Sequence, residues 1–252
     1  FQSAGGGPAR HIARWDGRAW AALGSGLNAP PTGLAGMPSG SVVAVGPFTE
    51  AGGVSVPNLA VWSVVGGWSA LPEAGLDLLQ SAEAATVDGH GRPVVAGMFR
   101  RWVDPPRRLI RAYDAAARQW VTLGGEVDAA VVNLRTMRDG RVLALGAFTA
   151  IGAVATPYAA VWDGSEWSPY APGLLPPAAR VFEVAGDEIL LGASDGRRQV
   201  LGVGVRSDEG WDPVAWGLAP PSGSLSPALR VLCSTPDGGV LATGEVTAGG
   251  AA

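Results

Sequence analysis

The sequence predicts an all-β domain, a five-bladed β-propeller of four-stranded antiparallel blades, and three observations predict it. One pattern is written five times. A glycine closes an apolar run at Gly46, Gly97, Gly146, Gly192 and Gly244, a tryptophan follows a short turn at Trp20, Trp68, Trp120, Trp167 and Trp211, and both markers recur every 44 to 52 residues. Repeats of about 40–50 residues holding several short strands are the mark of propeller blades. No long segment carries apolar residues at helical spacing, and 38 glycines and 20 prolines interrupt the chain too often for a helical array of that period. The runs between them are short and β-branched, as in Val42-Val43, Val94-Val95 and Val131-Val132, which suits strands.

The clearest copy justifies its elements in order. Val131 to Met137 is a first strand, and Arg138-Asp139-Gly140 is a hairpin turn in which glycine accepts positive φ. Arg141 to Phe148 is the second strand, Thr149 to Pro157 a longer loop and Tyr158 to Trp162 the third strand. Asp163-Gly164 turns the chain into a fourth strand opened by Trp167. Asp88-Gly89 and Asp237-Gly238 repeat the first turn, and Asp16-Gly17 repeats the second. The chain starts at Phe1-Gln2-Ser3-Ala4-Gly5-Gly6, in phase with Phe48-Thr49-Glu50-Ala51-Gly52-Gly53, and so opens after a second strand; it ends just after another, at Gly244 to Gly250. Strands three and four from 12–23 and strands one and two from 228–246 therefore make one shared blade, leaving no free sheet edge at the seam. The alternative is that the chain is an excerpt of a longer array. On the first reading, residues 1–252 form a single propeller domain.

Composition narrows the function classes. At 252 residues and 47% hydrophobic, the chain suffices for one large β domain. No apolar run reaches the roughly 18 residues of a membrane helix, so no membrane span is expected. A net charge of −4 spread along the chain gives no nucleic-acid footprint. The single cysteine, Cys233, lies in an apolar strand and reads as a buried free thiol. Ten tryptophans mostly sit on repeat positions: Trp15, Trp62 and Trp162 on third strands, with Tyr113 in their place in another copy, and the five markers on fourth strands. Recurrence points to packing between blades; sugar stacking is the alternative. Trp102 and Trp216 are off register.

Catalytic chemistry is not visible as a motif. His11 and His90 lie apart from other ligand-type residues, so no metal, cofactor or Ser-His-Asp triad is expected. Asp16, Asp114 and Asp163 recur at turns, where aspartate bonds its own backbone. Two groups stand out. Arg100, Arg101, Trp102, Asp104 and Arg108 occupy a loop where other copies carry small residues, and Asp195 and Arg197 occupy the matching loop of a later copy. Such a loop is suited to gripping a carboxylate, phosphate or sugar, or it is a solvated loop with a snorkelling tryptophan. Glu83, Arg135, Glu183 and Arg230 lie on first strands, which line the axis of a propeller, and are candidates for a site at the channel mouth; Arg135, Glu183 and Arg230 could equally pair with each other as buried structural ions.

The pattern Ile12-Ala13-Arg14-Trp15-Asp16-Gly17-Arg18-Ala19-Trp20, then Leu23-Gly24-Ser25-Gly26-Leu27, with a Gly-x-Phe-Thr-x-x-Gly-Gly element, resembles kelch-type, galactose-oxidase-like propeller repeats. It is similar to bacterial surface and secreted repeat proteins and to fungal cortical-marker proteins. The resemblance covers nearly the whole chain and implies an exported, extracellular or cell-surface protein. It departs where kelch repeats carry a double glycine and this chain has Gly-x-Phe, and the histidines and tyrosines of a galactose-oxidase copper site are missing. The expectation is a monomeric, non-catalytic scaffold whose loops on one face bind a protein or carbohydrate polymer. Alternatives are a lectin-like binder and, third, a hydrolase or lyase at the channel mouth. Against identical sugar sites, Thr49-Glu50, Arg100-Arg101, Thr149-Ala150 and Ser194-Asp195 differ from copy to copy.

Overall fold

The computed structural model describes residues 1–71, 77–101 and 105–170, with side chains from 79 to 100 and from 105 onward within the last two stretches. Beyond 170 it describes the backbone of strands within 181–248. Every regular element among these residues is a strand.

Four antiparallel four-stranded meanders follow one another. The first blade is Gly33–Gly36, Val42–Val45, Leu59–Ser63 and Gly67–Ser69. The second is Asp77–Val87, Pro93–Arg101, Arg107–Asp114 and Gln119–Glu126. The third is Val131–Thr136, Val142–Gly146, Ala159–Trp162 and Trp167–Pro169, as its sequence predicts. The fourth is Val181–Ala185, Glu188–Ser194, Val200–Ser207 and Gly210–Val214. The first strands of neighbouring blades lie side by side, Asp77–Val87 against both Gly33–Gly36 and Val131–Thr136. This is a propeller-like arrangement with first strands innermost.

Ala13–Trp15 and Trp20–Ala22 form one two-stranded sheet and Leu229–Ser234 and Val240–Gly244 another, and among the described strands no pairing connects them. The expected shared blade and the count of five are not confirmed among the described residues.

The core lies between blades. Ala35, Val43, Val45 and Leu59 of the first blade pack on Ala82, Ala85, Val95 and Phe99 of the second. Val94, Ile110 and Leu123 of the second pack on Leu134, Val142 and Phe148 of the third. Small residues at the contact (Ala44, Ala60, Ala96, Ala144, Ala160, all fully buried) let the sheets approach, and each large apolar side chain buried there contributes about 1.5–3 kcal/mol.

The indoles fasten this packing. Trp68 Nε1 donates to Leu23 O at 2.7 Å, just past the strand Trp20–Ala22, and Trp167 Nε1 to Leu123 O at 2.8 Å, within the fourth strand of the preceding blade. Gly124 makes room: its φ is +77°, and a Cβ there would lie 2.4 Å from Trp167 Cδ1. Trp68, Trp162 and Trp167, which are buried, therefore act in packing.

The loop after each Gly-x-Phe is more ordered than its sequence suggests. The carbonyls of Phe1, Phe48 and Phe148 accept from the N–H of His11, Asn58 and Tyr158, ten residues on, at 2.8 to 3.0 Å. Those three residues share a left-handed backbone, with φ of 64°, 66° and 69°. Two-residue hairpins close inside the loops, Ser3–Ala4 with Gly7–Pro8, Glu50–Ala51 with Val54–Ser55, and Ala150–Ile151 with Val154–Ala155. The second blade lacks this unit. Its strands run on instead, with Phe99 opposite Arg107 and Met98 opposite Arg108.

Candidate functional site at the axial groove

The inner strands carry a repeated irregularity. Pairing slips by one residue between Ala82 and Ala84, between Val131 and Asn133, and between Leu229 and Val231. Glu83, Val132 and Arg230 are therefore the extra residues of equivalent β-bulges, a device that re-aims a side chain. The sequence singled out Glu83 and Arg230 only as charges on first strands; their common register is visible in the pairing alone.

Glu83 is occupied by structure. Its Oε1 accepts from Arg108 Nε at 2.8 Å and its Oε2 from Val131 N at 2.9 Å. One carboxylate thus ties the third strand of its own blade to the first strand of the next. Arg108, expected in a ligand-gripping loop, and Glu83, expected in the channel, are each other's partners in a partly buried ion pair.

At the other end of the inner strands the turns meet. Gly89 N donates to Gly140 O at 3.1 Å, and a Cβ on Gly89 would fall 2.7 Å from Gly140 Cα, so the turns of the second and third blades touch backbone to backbone. Just inside them is a groove of about 400 Å³ on the inner strands of three blades, lined among others by Leu34, Thr86, Arg135, Thr136, Met137 and Arg138. By pairing register Arg135, opposite Leu143, matches Ala35, opposite Val43, and Thr86, opposite Val94. A guanidinium stands where the neighbours carry a methyl or a hydroxyl. Arg135 is exposed. Thr86 and Thr136 hydroxyls lie 2.9 Å apart, and Thr136 also donates to Val87 O.

The other expected residues separate. Arg100 is exposed at the end of the extended second strand. Arg101 is described in backbone only, and Trp102, Asp104, Asp195 and Arg197 lie outside the described residues, as do Trp216 and the Asp237-Gly238 turn. Glu183 and Arg230 are placed by register alone: Glu183, opposite Leu190, matches Leu134, opposite Ala144. The side chain of Cys233 is not among those described. A buried charge that sequence reasoning missed is Arg111, whose Nη2 donates to Trp120 O at 2.9 Å and whose Cζ sits 5.3 Å from the Phe99 ring centroid. Its place facing those aromatics follows from strand alternation, which was the available signal.

The turn aspartates behave as read. Asp16 accepts from the N–H of Arg18 and Ala19, Asp114 from Ala116 and Ala117, and Asp163 from Ser165 and Glu166. The backbone N–H of Ala19, then of Arg18, holds Asp16 below the usual carboxylate range; those of Glu166 and Ser165 do so for Asp163. Asp88 accepts from the N–H of His90 and Arg92 and from the Arg92 guanidinium, and His90 is a turn residue. Among the described residues no three His, Cys, Asp or Glu gather at a metal-binding spacing, and no helix is long and apolar enough to cross a membrane.

No family model matches the chain, and no curated protein matches it. Among solved structures it is similar to a gluconolactonase from Xanthomonas campestris, with 17% identity, a TM-score of 0.48, and 83% of this chain and 68% of that one covered. The expectation of a non-catalytic scaffold or lectin-like binder is at odds with that neighbour, whose name is that of an enzyme, and is not carried forward. A kelch-type assignment receives no support from it.

Proposed function

We propose that the chain is a hydrolase whose site is the axial groove at the inner turns. The observation that supports this is the departure from the repeat at Arg135. In a frame written in near-identical copies, Arg135 lines a small-molecule-sized groove at the register where Ala35 and Thr86 stand in the neighbouring blades. Pre-oriented N–H donors in such a groove stabilise negative charge that develops on a carbonyl or phosphoryl oxygen. The attacking water needs a proton acceptor. Glu83, the first-strand carboxylate whose side chain is described, is held by Arg108 and Val131 and is not that acceptor.

The test is turnover of a panel of esters, sugar lactones and phosphoesters by the wild-type chain and Arg135→Ala. Arg135→Ala is expected to lower kcat/KM. No turnover above a heat-denatured control would overturn the hydrolase reading.

A further inference from the structure

We infer that the axial groove selects a small anionic molecule, one bearing a carboxylate or phosphate, and that Arg135 is its anchor. This rests on the axial groove being the site proposed above and names the substrate class it takes.

Four observations carry it. The first is charge. The chain as a whole is acidic, at −4, yet among the described residues the lining of this groove includes Arg135 and Arg138 and no carboxylate. The second is how the nearby arginines are treated. Arg92 lies 2.7 Å from Asp88 and Arg141 2.6 Å from Asp139, so each turn supplies its own counter-charge. Arg135, a few residues away on the strand, has no hydrogen-bond or ion-pair partner among the described residues. A guanidinium left without a carboxylate in a concave site is a fork of donors for planar or tetrahedral oxyanions.

The third is the donor inventory. Thr136 gives its hydroxyl proton to Val87 O. The Thr86 hydroxyl, 2.9 Å from Thr136 Oγ1, is then the donor of that pair. Both hydroxyl protons are directed inward, so the Arg135 guanidinium N–H groups are the donors offered to a ligand. A neutral sugar needs donors and acceptors mixed around it; an oxyanion needs donors alone. The fourth is size. About 400 Å³ is at the small end of ligand pockets and too little for a polymer chain.

The groove can be filled without disturbing the cation. Gly36 lines it, lacks a positive φ, and a Cβ there would meet no atom within 4 Å. Gly36→Leu therefore occupies the cavity from the first blade while leaving Arg135 on the third untouched.

Calorimetric titration at fixed ionic strength decides the matter, with citrate, inorganic pyrophosphate and neutral glucose as probes. Circular dichroism checks that each variant is folded. We expect one-to-one binding of citrate or pyrophosphate, whichever source of charge fits, and none of glucose. Arg135→Ala is expected to weaken that binding about tenfold or more, the loss of a charge-assisted contact. Gly36→Leu is expected to abolish it, and Arg100→Ala, on the extended second strand, to leave it unchanged. Absence of millimolar binding by both anions, or equal affinity in wild type and folded Arg135→Ala, overturns the inference. Because calorimetry reads binding without turnover, anion binding with no hydrolysis sinks the hydrolase reading alone. Hydrolysis of neutral substrates without anion binding sinks this inference alone.

Discussion

Two tryptophan pairs have nearly the same geometry and opposite surroundings. Trp15 and Trp20 face each other across a hairpin with ring centroids 5.5 Å apart and planes tilted by 49°; Trp162 and Trp167 do so at 5.5 Å and 53°. The first pair is half exposed, at 50% each, whereas the second is buried, at 8% and 4%. Pair geometry is thus a property of the two-stranded hairpin, imposed by cross-strand register. Burial is a property of the neighbours. The third blade has two further strands and a preceding blade whose Leu123 carbonyl receives the indole N–H. The N-terminal pair has neither among the described residues. One sequence element is therefore a core residue or a surface residue according to what packs beneath it, and the repeat alone does not say which.

Truncation breaks the comparison most sharply. Trp167→Ala removes a buried indole and its hydrogen bond, and we expect a loss of about 3–5 kcal/mol. Trp20→Ala, at the same repeat position, is expected to cost about 1 kcal/mol, in the range of partly exposed positions. Urea denaturation of both variants supplies the measurement. A cost for Trp20→Ala close to that of Trp167→Ala would mean that a further sheet covers the N-terminal hairpin in solution, and would restore the five-bladed ring that the sequence suggests.

The glycines under the indoles sharpen the same contrast. Gly124 and Gly24 hold equivalent places, both with positive φ, but a Cβ would lie 2.4 Å from Trp167 Cδ1 in one case and 3.3 Å from Trp68 Cδ1 in the other. Backbone strain is common to both, and overpacking adds to it only at the first. Gly124→Ala should cost about 2–4 kcal/mol and Gly24→Ala about 1 kcal/mol. Equal thermal shifts in the two variants would show that the tryptophan moves aside freely.

How much was legible follows from these residues. Strand positions, turn aspartates and the packing role of the indoles could be read because they repeat, and repetition reports what every copy needs. The left-handed residue ten places after each phenylalanine escaped notice because His11, Asn58 and Tyr158 share a backbone state and no chemistry. The bulges at Glu83, Val132 and Arg230 escaped because an extra residue shows only in pairing. Arg108 was assigned to a loop, yet the second blade extends its strands through that region and brings it to Glu83. Arg135 was found for a sound reason, its departure from the repeat on an axial strand. The groove around it needed three blades in place, which no linear pattern records.

The smallest expected effect compares two loop anchors exactly two repeats apart in register. Asn28 Oδ1 accepts from the N–H of Thr49 and Glu50, and its Nδ2 donates to Thr49 Oγ1 at 2.8 Å. Asp128 accepts the matching N–H groups of Thr149 and Ala150 and the Thr149 hydroxyl. Partial burial alone would raise the Asp128 carboxyl, but the bonds from the Thr149 hydroxyl and N–H and from Ala150 N–H outweigh it and hold the group below the usual value. A carboxyl lowered in the folded state stabilises that state above its unfolded pKa of about 3.9, and the contribution is lost as pH falls through the folded value. Asp128→Asn installs the residue of the first blade and keeps the acceptor. We expect it to cost less than about 1 kcal/mol near neutral pH, and the difference from wild type to shrink as pH falls through the lowered Asp128 value. The other lowered aspartates, Asp16, Asp139 and Asp163, titrate in both proteins and cancel in the comparison. A difference that stays constant from neutral to acid pH would show that the anchor works through its shape alone, as Asn28 does, and that the charge on Asp128 adds nothing.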